Sequence, residues 1–153
     1  MNRIIKTVQA ADAEEMAAQG AWLAGHLRPG DIVLLKGNLG AGKTSFARGL
    51  IQALLEDAEV PSPTFTLVQT YSAKDFEIWH FDLYRLQNES EIWELGIEEA
   101  LENGVCLIEW PQSIAGLLSG AELEIVLRFS GKGRVVKFNG DEKWEARLNG
   151  KPD

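Results

Sequence analysis

At 153 residues the chain has the length of one domain, and its 45% of apolar residues can fill a core. A net charge of −8, from 23 acids against 15 bases, argues against autonomous nucleic-acid binding, and the densest basic stretch, 132–137, holds only three bases. No apolar run approaches the ~20 residues of a membrane span, the amino end has no secretory leader pattern, and Cys106 has no second cysteine to pair with, so a cytosolic protein is expected.

In chain order, residues 3–8 alternate as a short strand. Asp12 caps a helix with Glu15 three residues on, as in a capping box; Met16, Leu23 and Leu27 share its inner face, and Pro29-Gly30 ends it. The continuous apolar run 32–35 predicts a strand buried on both faces of a parallel sheet. A glycine loop follows at once, then a helix over about 43–56. Pro61-Ser62-Pro63 is a stiff extended loop, after which 65–71 and 76–83 read as two strands joined by a polar turn at 72–75. Ser90 caps a short helix that Gly96 interrupts, and 105–108 is a second continuous apolar run. Residues 123–129 and 134–138, separated by Ser130-Gly131-Lys132-Gly133, form a hairpin; 141–153 fits either a short helix or a frayed strand. Strands alternating with helices predict a single α/β domain: a P-loop NTPase-like three-layer sandwich with a mainly parallel central sheet and antiparallel additions.

Gly37-Asn38-Leu39-Gly40-Ala41-Gly42-Lys43-Thr44 matches the phosphate-binding pattern G-x-x-x-x-G-K-[ST] completely. Its glycines let backbone N–H groups wrap phosphates without a Cβ in the way, and the following helix adds the positive end of its dipole. Lys43 supplies a point charge for the β- and γ-phosphates and Thr44 a hydroxyl for Mg²⁺. The alternative, a chance glycine turn, is disfavoured by the strand before it and the helix after it.

Such a site needs an acid to hold the metal or to orient the attacking water. Glu109 directly follows the apolar run 105–108, the layout of a Walker B strand, and Asp82 ends the strand carrying Ile78, His80 and Phe81. Which of the two touches Mg²⁺ is left open. His80, Asp82 and Tyr84 share one face of a strand by their i, i+2, i+4 spacing. With no further His or Cys nearby, a packed or hydrogen-bonded His80 is the better reading than a metal ligand. Thr64 is either a switch threonine that meets Mg²⁺ when the γ-phosphate is present or a turn hydroxyl. Trp110, beside Glu109, either covers the nucleotide or serves as a core or interface residue. Residues 118–122 superficially match the ABC transporter signature but follow the Walker B candidate instead of preceding it; they are read as a loop.

The GTPase motifs D-x-x-G and N-K-x-D, the latter reading guanine, are absent, which points to ATP. A small-molecule kinase is the rival reading, yet the arginines after Arg48 (Arg85, Arg128, Arg134 and Arg147) are scattered and form no evident phosphate-clamping lid. A nucleotide-dependent switch module is the third reading.

Four motifs in order, residues 37–44, then Ser62-Pro63-Thr64-Phe65-Thr66-Leu67-Val68, then His80-Phe81-Asp82-Leu83-Tyr84-Arg85-Leu86, then Leu107-Ile108-Glu109-Trp110, resemble the bacterial TsaE (YjeE) family. The resemblance covers nearly the whole chain apart from the last fifteen residues. It implies an ATPase of tRNA N6-threonylcarbamoyladenosine formation that acts with a TsaB–TsaD complex on adenosine 37 and reaches tRNA only through that complex. It also implies that Lys43 and Thr44 serve ATP and Mg²⁺, that Thr64 is the switch threonine, and that Asp82 and Glu109 are the working acids. Ser45, counted with the phosphate-binding residues, stands where a second threonine is common in the family.

Overall fold

The structure, a computed structural model, describes residues 2–38, 40–56, 58–61, 67–86, 88 and 90–150. Its seven strands, β1 (Arg3–Ala10), β2 (Ile32–Lys36), β3 (Val68–Ser72), β4 (Glu77–Asp82), β5 (Val105–Glu109), β6 (Leu123–Ser130) and β7 (Gly133–Gly140), form one sheet ordered β1-β7-β6-β2-β5-β4-β3. The middle four, β6, β2, β5 and β4, run parallel, while β3 on β4, β7 on β6 and β1 on β7 are antiparallel. Both continuous apolar runs occupy the centre, where a strand is covered on both faces and needs no polar alternation.

Helices cover the two faces and give the three layers expected. On one face Val33, Leu35, Ile78, Leu107 and Ile125 pack with Met16 and Leu23 of α1 (Ala13–Ala24) and Phe46, Leu50 and Ile51 of α2 (Lys43–Leu54). Trp144 of α5 (Glu142–Leu148) closes the end of that core. On the other, Leu34, Phe81, Cys106 and Ile108 meet Ile92 of α3 (Ser90–Glu94), Ile97 and Ala100 of α4 (Ile97–Asn103), and Ile114 of a 3-10 segment, Pro111–Leu117. The two-residue strand period thus sorts Val33 and Leu35 from Leu34, and Leu107 from Cys106 and Ile108. Among the described residues no helix is long and apolar enough to cross a membrane.

Helices α1 and α2 approach backbone to backbone at two glycines. A Cβ on Gly20 would lie 2.0 Å from the Phe46 carbonyl oxygen, and one on Gly49 would lie 2.0 Å from that of Ala17. Any side chain at either position would separate the helices. This contact anchors α2, whose first turn continues from the glycine loop.

Several boundaries differ from expectation for local reasons. Asp12 caps α1 by accepting from the Glu15 N–H at 2.9 Å, but the return bond of Glu15 goes to the Ala11 N–H, one residue earlier than in a standard capping box. The helix ends at Ala24 with Gly25 as its cap, before Pro29-Gly30 is reached. Gly96, read as an interruption, sits in the left-handed region (φ 88°) and starts α4, an element not foreseen. Asp141 caps α5 by accepting from the Trp144 N–H, which resolves most of 141–153 as helix. Strand β3 starts at Val68, and residues 62–66 lie outside the described residues. The 118–122 segment is a loop, as expected, held by buried Glu122, which accepts from Ser119 and Gly120.

Candidate functional site

The loop after β2 uses its three glycines for two different purposes. Gly40 (φ 79°) and Gly42 (φ 105°) hold the left-handed backbone that an L side chain rarely adopts. Gly37 has no such φ; a Cβ there would lie 2.7 Å from the Leu127 carbonyl oxygen of β6, so a close strand demands glycine. Gly42 is the N-cap of α2 and brings no side chain to its first-turn N–H groups. Those N–H groups have no intrahelical acceptors, which suits them to an anion. Leu39 lies outside the described residues, whereas Asn38 accepts from the Ala41 N–H at 3.0 Å to close the turn.

Lys43 opens α2 and is 5% exposed. Its Nζ donates to the carbonyls of Gly37 at 2.7 Å and Asn38 at 3.1 Å, and it stands 4.1 Å from the centre of the Trp110 ring. Burial lowers the Lys43 pKa below the ordinary lysine value, and the charges of Glu109 and Asp82 partly oppose that shift. The ammonium is therefore within electrostatic reach of both acids. Thr44 and Ser45 follow in the same helical turn, each half-buried.

Asp82 and Glu109 end adjacent parallel strands and are direct register partners, both buried. Alternation puts Asp82 with Ile78 and His80, and Glu109 with Val105 and Leu107, on the face that carries α1 and α2. Asp82 Oδ1 accepts from the Tyr84 N–H at 3.1 Å. Glu109 Oε2 is 2.6 Å from His80 Nε2, and His80 is fully buried. The hydrogen-bonded reading of His80 holds, with a partner that spacing along the chain does not reveal. Its Nδ1 finds no partner among the described residues. Tyr84 lies past the end of β4, so the shared strand face extends only to His80 and Asp82.

Trp110 follows Glu109 with φ 58° and ψ 59°, a left-handed conformation uncommon for a large residue. That bend brings its ring onto the Lys43 ammonium and within 4.8 Å of the Tyr84 ring. The structure therefore brings Gly37, Asn38, Gly40, Ala41, Gly42, Lys43, Thr44, Ser45, Asp82, Glu109 and Trp110 to the carboxyl end of the parallel strands, the usual ligand side of such sheets. Thr64 lies outside the described residues. Sequence reasoning missed the His80–Glu109 bond, and it missed Arg134 of β7, which donates to the Gly40 carbonyl at 3.1 Å. Neither has a local signal, because both depend on which strands are neighbours.

The donor set is hard: two carboxylates, a threonine hydroxyl and loop N–H groups beside one buried lysine. Such groups fit a phosphate chain with Mg²⁺ rather than a soft transition metal.

Comparison with known proteins agrees on one family. The family model described as "Threonylcarbamoyl adenosine biosynthesis protein TsaE" matches residues 10–136. The tRNA threonylcarbamoyladenosine biosynthesis protein TsaE of Rickettsia conorii is 50% identical over 115 residues, 74% of this chain and 66% of that protein, just under two thirds of its length. The Bacillus subtilis protein of the same name is 40% identical over 119 residues, 77% of this chain and 74% of that protein. The crystal structure of Bacillus subtilis YdiB superposes with a TM-score of 0.81 at 30% identity, covering 97% of this chain and 93% of that one.

Proposed function

This chain belongs to the TsaE family of threonylcarbamoyl adenosine biosynthesis proteins, and from that premise we propose that it binds and hydrolyses Mg-ATP to support tRNA N6-threonylcarbamoyladenosine formation. The observation that carries the chemical part is the convergence of Lys43 with the register partners Asp82 and Glu109 beside the glycine loop. A lysine buried against two strand-end carboxylates suits a triphosphate whose terminal charge is shared between an ammonium and a metal.

In this reading the loop N–H groups and Lys43 hold the phosphates. Thr44 and Asp82 hold Mg²⁺ directly or through water, and Glu109 orients the hydrolytic water, with one of its oxygens held by His80. Bound Mg²⁺ supplies neutralisation of the charge on the phosphate oxygens. Trp110 shields the lysine from bulk water, and Thr64 carries the switch role that the family resemblance gives it. The protein works in the cytosol with the TsaB–TsaD complex, which transfers the threonylcarbamoyl group; ATP turnover here keeps that complex cycling. Because the sequence offers no obvious arginine finger, turnover by the isolated chain should be slow.

The test incubates the purified chain with ATP, Mg²⁺, tRNA and the TsaB–TsaD complex, following phosphate release and modified adenosine together. Both are expected to rise when the chain and the complex are combined. Phosphate release indifferent to the complex, or modification indifferent to the chain, overturns the reading. A phosphorylated small acceptor would instead support a kinase, and nucleotide binding without turnover a switch module.

A further inference from the structure

The phosphate loop leaves the carboxyl end of β2, but the amino ends of β2 and β6 carry a cavity of their own, a full strand length away. It measures about 240 Å³ and lies between the turn before β2, the 119–122 segment and α5. None of the phosphate-site residues lines it. Lys143 and Arg147, at i and i+4, share one face of α5 and give the cavity a cationic wall. The β6–β7 register that pairs Glu124 with Asn139 carries Glu122 and Asp141 to neighbouring positions, which gives it an acidic end. Ile32 and Trp144 add apolar surface between them.

Arg147 is held firmly and yet is not fully used. Its side chain is only 17% exposed, Nη1 donates to Asp31 Oδ2 at 2.6 Å, and the guanidinium lies 4.2 Å from the centre of a Trp144 ring. Its Nε is buried without a hydrogen-bond partner among the described residues. A buried donor left unpaired is costly, and an acceptor brought against Arg147 from the cavity would satisfy it. Asp31 is neutralised by Arg147 itself, so Glu122 and Asp141 set the negative side.

Charge decides the class of ligand. A simple anion would meet Glu122 and Asp141, and a simple cation would meet Lys143 and Arg147. A small zwitterion matches both sides, since guanidinium pairs with a planar carboxylate and carboxylates accept from an ammonium. We propose that this cavity binds a free α-amino acid, its carboxylate toward Lys143 and Arg147, its ammonium toward Glu122 and Asp141, and its side chain along Ile32 and Trp144.

The test follows the Arg147 Nε–H and Trp144 Nε1–H resonances of the full chain while each of the twenty L-amino acids is added. At least one should give a saturable shift of both signals. The analogues of that amino acid lacking either the amino or the carboxyl group should bind at least tenfold more weakly. Lys143 is exposed, so Lys143→Gln keeps the fold and should weaken binding at least threefold, while Lys143→Arg retains it. No saturable shift with any of the twenty, a singly charged analogue that binds as tightly, or unaltered affinity in Lys143→Gln overturns the proposal. The phosphate site enters none of these measurements, so its own reading stands or falls separately.

Discussion

His80 and Glu109 meet across neighbouring parallel strands through a 2.6 Å Nε2···Oε2 contact between two buried side chains. A buried carboxylate that loses its partner keeps its full desolvation cost, about 1–3 kcal/mol or more. His80→Phe should therefore lower stability by roughly that amount and reduce turnover more than ATP affinity, because the acid loses its orientation. His80→Gln, which retains an N–H donor, should recover part of both. Thermal unfolding, calorimetry and phosphate release on the two variants decide it; unchanged turnover in His80→Phe would show the bond to be idle in catalysis.

Removing the loop charge tests the phosphate site itself. Lys43→Ala deletes the ammonium that is hydrogen-bonded to the Gly37 and Asn38 carbonyls and should abolish phosphate release. Glu109→Ala should spare ATP binding far more than hydrolysis. Parallel loss of binding and turnover in Glu109→Ala would contradict its assignment to the water.

The Cys106 thiol lies in the core against α4, and burial raises its pKa from the ordinary 9.0 to about 12. A thiol held neutral by burial stabilises the fold fully below pH 9, where both states are protonated; above it the unfolded chain loses its proton first. Stability should consequently decline as pH rises from about 9 toward about 12. Cys106→Ala should flatten that part of the pH dependence. Near neutral pH, alkylation of the native chain should proceed no faster than unfolding, measured by mass spectrometry over time.

Gly49→Ala is expected to strain the α1–α2 contact, since its Cβ would fall 2.0 Å from the Ala17 carbonyl oxygen. Overpacking of this kind costs about 1–3 kcal/mol, which for a domain this size lowers Tm by about 2–4 °C per kcal/mol. Scanning calorimetry checks this. An unchanged or raised Tm, as expected where alanine merely improves helix propensity, would show that the helices separate at no cost.

The phosphate loop and strands β2 and β5 were legible because their signals are local: a fixed spacing of glycines, lysine and threonine, and apolar runs without alternation. The acids were legible as strand ends, although only the β4–β5 pairing makes Asp82 and Glu109 neighbours. The partner of His80 stayed hidden because no spacing along the chain encodes which strands lie side by side. Gly20 and Gly49 carry no signal in the sequence, since the residue that forbids a side chain belongs to another helix. Gly96 punctuates the chain as expected, but whether a glycine ends one helix or begins the next depends on its φ, which composition does not carry. Arg134 looked scattered for the same reason: the hairpin brings it across 94 residues of chain to Gly40.

At Gly20 and Gly49 the backbones of α1 and α2 meet with no side chain between them. Shear between packed helices works by exchanging side-chain rotamers, and at these two contacts there is none to exchange. The spacing of the two helices is set there by van der Waals contact between their backbones, so they should behave as one strut. Asp12 and Met16 at one end of α1 and the loop leading into α2 cannot be displaced independently. A push on either should pass to the other, and β4 and β5, whose Ile78 and Leu107 pack on the same core, form the bed on which the strut rests.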